Sequence, residues 1–144
     1  MDALTVIGVV ANILQLISSA HGVLSFAKEA YSSTTGLVPA IEQLRLLVDD
    51  VKLNVADIVN DSMQSSNSLN NLKRIADECI KLGNNLLQRF EEIRSKKHGW
   101  QRKAESLKNA AIFMYSREEI NKDWTTLQAL TARVNRWWEA EVNR

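Results

Sequence analysis

The sequence predicts an all-α bundle of about four to five helices, and three observations predict it. Proline and glycine are scarce: one proline (Pro39) and five glycines in 144 residues, and helix interiors tolerate few of either. Apolar residues recur at spacings of three and four through long segments, the signature of helices with one buried face. No run alternates apolar and polar residues as a half-buried strand would. The length suits a single domain covering residues 1–144 that buries a core without disulfides or metals. The one cysteine, Cys79, allows no internal disulfide and fits a reducing compartment.

The first helix is expected from Ala3 to about Tyr31, with Asp2 as a candidate N-cap. From Ala3 to Ala27 no side chain bears a full charge, and His21 is the only titratable group. Leu4, Ile7, Ala11, Leu14, Ile17, His21 and Leu24 form one stripe, expected to face the core. Val6, Val9, Val10, Ile13, Leu16 and Val23 lie outside it, which makes Val9 an outward position. The helix is therefore apolar nearly all round in its first half. Such a helix is either central to a core or meets lipid. The stretch lacks the basic flank of a signal peptide. Ser18, Ser19, His21 and Ser25 interrupt it short of a standard membrane span.

Ser32 to Gly36 reads as a turn, and Pro39 falls in the first turn of a second helix, where its missing N–H costs nothing. That helix runs to about Asp61 with a stripe of Val38, Ile41, Leu44, Val48, Val51, Val55 and Ile58, while Asp49, Asp50 and Asp57 mark wetter positions. A Ser/Asn-rich loop precedes a third helix from about Asn67 to Lys97, striped by Leu69, Leu72, Ala76, Cys79, Leu82, Leu86, Phe90 and Ile93. Trp100 to Tyr115 reads as a shorter helix, with Trp100, Leu107, Ala111 and Met114 as contacts. Ser116 and Glu119 then fit a capping box. The last helix runs to about Val142 on Ile120, Trp124, Leu127, Leu130, Val134 and Trp138.

Chemistry is hard to find. Nucleophilic catalysis needs a nucleophile beside a base. His21 sits on an apolar face and is expected as a satisfied core or bundle-edge residue, and His98 lies in a basic loop. Cys79 falls on an apolar stripe, where a free thiol behaves as a small hydrophobe. One cysteine and two distant histidines supply no metal site. The phosphate-loop pattern G-x-x-x-x-G-K-[ST] does not occur, so no nucleotide or other cofactor is expected. The net charge of +1 gives no reason to expect nucleic acid. No enzyme is read from these residues.

Two features remain. One is the uncharged first helix. The other is a basic cluster, Arg94, Lys96, Lys97, Arg102 and Lys103, with Trp100 inside it and no acid between Arg94 and Lys103. The cluster reads either as a solvated interhelical loop or as a patch for anionic lipid headgroups, worth about 1 kcal/mol per basic residue near such a surface. Trp100 is either core or an interfacial ring.

The opening MDALTVIGVVANILQLISSAHGVLSFAKEAY resembles the start of the N-terminal domains of fungal STAND proteins, the NOD-like receptors of fungi, in the SesA and HeLo-like groups. Val10-Ala11-Asn12-Ile13-Leu14-Gln15-Leu16 matches their small-and-aliphatic core motif. Trp100 to Val134 is also similar, through the Leu107-Lys108 pair and Tyr115 before the Ser116 to Ile120 box. The middle matches only in helix pattern. The resemblance implies a HeLo-like, four-helix-bundle fold and a part in programmed cell death, heterokaryon incompatibility and innate immunity. It implies partners among copies of the chain, other death-signalling proteins and anionic membrane lipids. It also implies a cytoplasmic domain that relocates to the plasma membrane on activation, and a chain that is an excised N-terminal domain or a short stand-alone relative. If the chain is of the membrane-active type, the effector positions are Leu4, Val6, Ile7, Gly8, Val9, Val10, Ile13, Leu14, Leu16 and Ile17. Gly8 and Ala11 are then the small positions that permit close helix contact. A purely regulatory docking or oligomerisation module is the alternative.

Overall fold

A computed structural model of the chain describes residues 3–28, 37–60, 67–96 and 117–143. The described residues form four helices: α1 Ala3–Lys28, α2 Leu37–Asn60, α3 Asn67–Lys96 and α4 Arg117–Val142. They contain no strand, and the protein is an all-α bundle. The short helix expected at Trp100 to Tyr115 lies outside the described residues, as do Asp2, His98 and Ser116. Each helix packs on the next in chain order and α4 closes back on α1, with a further diagonal contact between α1 and α3. Arg89 pairs with Glu119, Arg133 with Glu78, and Ser68 with Glu141. These pairings run in opposite directions along α3 and α4, so the two helices are antiparallel. His21 packs against Trp124, and the earlier Leu14 and Ile17 line one cleft with the later Gln128 and Thr131, which sets α1 antiparallel to α4. It follows that α1 runs parallel to α3.

One core joins all four helices. Ile13, Leu16, Leu24, Leu44, Leu72, Leu86, Leu127 and Leu130 are its largest fully buried side chains besides Val9, each worth about 1.5–3 kcal/mol of transfer from water. Gly83 lets α3 approach α1 and α2 closely. A Cβ built there would lie 2.6 Å from Val48 Cγ2, and 3.9 Å from Leu16 Cδ2.

Where side chains are described, the stripes of α2, α3 and α4 match their periodicity with small shifts; the side chains of Val38, Phe90 and Ile93 lie outside the described residues. Leu47 and Ile75 join the core, and on α4 it is Trp137, not Trp138, that is buried, while Trp138 packs partly against the core. The Trp137 indole N–H explains the choice, because it donates to the Ser68 carbonyl at 2.7 Å.

The first helix needs a larger correction. Its buried face is Val9, Val10, Ile13, Leu16, Ile17, Ala20, Val23 and Leu24. Of the stripe expected to face the core, Ile17 and Leu24 are buried, Leu14 and His21 are half-buried, and Leu4, Ile7 and Ala11 are exposed. Val9, expected outward, is 1% exposed. The physical reason is that hydrophobicity spread round the whole axis carries no phase, so the neighbours choose the inward face.

Candidate functional site

The candidate site is the uncovered face of α1. Leu4, Gly8, Ala11, Gln15 and Ser18 follow one another at spacings of three and four, with Ile7 beside Gly8, and all are exposed. Leu4 is 80% and Ile7 47% exposed. Nothing lies within 4 Å of a Cβ placed on Gly8, so this part of the helix is open to close approach. Of the ten effector positions, Val9, Val10, Ile13, Leu16 and Ile17 face the core, Val6 and Leu14 are half-buried, and only Leu4, Ile7 and Gly8 are exposed. The sequence did carry a marker for this face. Gln15 and Ser18 are polar and lie in line with Gly8 and Ala11, so they point to the solvent side.

The stretch Leu4–Ser25 spans 22 residues with hydropathy 1.6, and less than half of it is buried. At 1.5 Å per residue it is about 33 Å long, matching the roughly 30 Å hydrocarbon core of a bilayer. A central core helix passes the same length and composition test.

Further along, the open face runs into a cleft of about 510 Å³ between α1 and α4, lined by Leu14, Ile17, Ser18, His21, Gln128 and Thr131. The Thr131 hydroxyl donates to the Leu127 carbonyl at 3.0 Å, which leaves its oxygen only as an acceptor toward the cleft. His21 is a half-buried bundle-edge residue, and its Nδ1 is buried without a hydrogen-bond partner among the described residues. Burial lowers its pKa from the ordinary 6.5, because the charged form loses water and gains nothing in return.

Cys79 is buried. Burial first, and then the Glu78 carboxylate, push its thiol up to about 12, against the opposing pull of Arg133. A protonated, enclosed thiol is not a nucleophile at neutral pH. Among the described residues no group of three or more His, Cys, Asp or Glu could hold a metal ion. In the basic cluster, Arg94 and Lys96 belong to the end of α3; Lys97, Trp100, Arg102 and Lys103 lie outside the described residues.

The chain matches no known family model, no curated protein and no solved structure.

Proposed function

We propose that this protein is a non-enzymatic signalling and cell-death effector domain, which clusters and associates with a membrane through α1. One observation carries the reading. A 22-residue stretch without a full charge is less than half buried, leaving Leu4 and Ile7 in water. A soluble bundle gains nothing from exposing these side chains, whereas a bilayer or a clustered neighbour would cover them. The resemblance of the opening to fungal STAND N-terminal domains supports the same reading. In it, the resting bundle keeps Val9, Ile13 and Leu16 inside, and clustering favours a state in which α1 leaves its neighbours for lipid. Such a switch needs two packings that differ by a few kcal/mol. The core face of α1 stays dry in hydrocarbon, which offsets part of the cost of leaving.

The test is leakage of acidic liposomes by the purified protein, alongside toxicity in cells. Wild type leaks them, whereas Ile7→Glu, an exposed change that spares the core, abolishes leakage without lowering thermal stability. Sealed liposomes, together with undiminished toxicity of Ile7→Glu, would overturn the reading.

A second reading has its own observation. On α2, Leu46 is 65% and Leu53 67% exposed, one heptad apart. They form an apolar pair away from α1, as a docking module would present. On this reading Leu46→Glu and Leu53→Glu, rather than Ile7→Glu, abolish activity.

A further inference from the structure

The charge that α1 lacks is gathered elsewhere. A cleft of about 400 Å³ opens between the N-terminal half of α3 and the C-terminal half of α4. One end is held rigidly: the Trp137 indole N–H is bound to the Ser68 carbonyl, and the Ser68 hydroxyl donates to the Glu141 carboxylate. Three arginines line the cleft, Arg74 on α3 and Arg133 and Arg136 on α4. Arg133 is engaged by Glu78. Arg74 and Arg136 are exposed and make no ion pair with any described residue. Asn67 and Asn71 add amide donors to the same wall. Glu141 is the one carboxylate in the lining and already accepts from Ser68.

We propose that this cleft is a binding site for a phosphomonoester group. Two uncommitted guanidinium forks come from different helices, with amide N–H donors beside them. A carboxylate offers two acceptor oxygens and one charge, which a single fork satisfies. A phosphomonoester offers three acceptor oxygens and close to two charges, so it can engage both forks at once. A soluble phosphate ester and a lipid headgroup such as phosphatidic acid present this same chemistry. The site uses no residue of α1 and stands or falls apart from the membrane reading of that helix.

The test follows the Trp137 indole N–H resonance by NMR. Inositol trisphosphate serves as the soluble probe, vesicles containing phosphatidic acid as the lipid probe, and succinate and charge-matched phosphatidylserine vesicles as controls. At least one phosphomonoester probe is expected to act saturably: inositol trisphosphate by shifting the resonance, or the vesicles by binding the protein more than phosphatidylserine does. A soluble response alone identifies a free ester as the ligand, and a vesicle response competed by inositol trisphosphate identifies a headgroup. Arg74→Gln with Arg136→Gln weakens that binding about tenfold or more, with unchanged thermal stability because both side chains are exposed. The proposal is overturned if neither probe binds saturably, if the controls act equally, or if the double variant binds as wild type does.

Discussion

The imidazole of His21 meets the indole of Trp124 edge to face, with ring centroids 4.5 Å apart and planes at 69°. This contact ties α1 to α4 beside the cleft they share. It holds a titratable ring where its charged form is poorly solvated, so the folded state resists protonation below the ordinary pKa of 6.5. Below that pH the unfolded chain binds more protons than the folded one. The contribution is therefore complete above about pH 6.5 and lost as the pH falls toward the lower folded value. Thermal melts are expected to show stability falling between about pH 7 and pH 5, and His21→Phe is expected to flatten that slope. Identical slopes in the two proteins would assign the effect to other groups.

Two glycines should respond oppositely to alanine. At Gly8 a Cβ meets nothing within 4 Å, so Gly8→Ala gains about 0.5–1 kcal/mol from helix propensity. At Gly83 the same Cβ meets the stiff, branched Val48 at 2.6 Å. Overpacking of about 1–3 kcal/mol there should exceed the propensity gain, and Gly83→Val should be worse than Gly83→Ala. Urea denaturation of the three variants checks the signs.

Within α1, stability and exposure should separate cleanly. Ile13→Ala and Leu16→Ala empty fully buried positions and should cost about 2–5 kcal/mol each. Leu4→Ala and Ile7→Ala remove exposed side chains and should stay within about 0.5 kcal/mol. Chemical denaturation midpoints decide this. A large loss at Ile7 would mean that the helix buries its other face.

Trp137 is both a core side chain and a hydrogen-bond donor across the α3–α4 seam. Trp137→Phe should cost more than the volume change alone, by about 0.5–1.5 kcal/mol for the lost hydrogen bond to the Ser68 carbonyl. Trp138→Phe should cost less. Paired thermal melts give the difference.

The Cys79 thiol, held near 12 by burial and by Glu78, should resist aromatic disulfide reagents in the native protein at pH 8 and react at once in denaturant. Rapid native labelling would show that α3 opens from the bundle.

Most of the bundle was legible along the chain. Leu44, Val48 and Val51 on α2, and Leu127, Leu130 and Val134 on α4, are buried where the spacing put them. On those helices Asp49, Asp50 and the exposed Glu118 and Glu119 supply the polar contrast that fixes a phase. By itself the sequence determined that the chain is helical, how many long helices it forms, and that α1 is without charge. In the first half of α1 it left the facing open, because Leu4, Ile7, Val9 and Ile13 are equally apolar and only Gln15 and Ser18, further along, mark a solvent side. The side chains of α2, α3 and α4 made that choice by covering Val9 and Ile13 and leaving Leu4 and Ile7 in water. Tertiary structure also brought Arg74 and Arg136 to one cleft, since residues so far apart in the chain meet only when two antiparallel helices pack side by side.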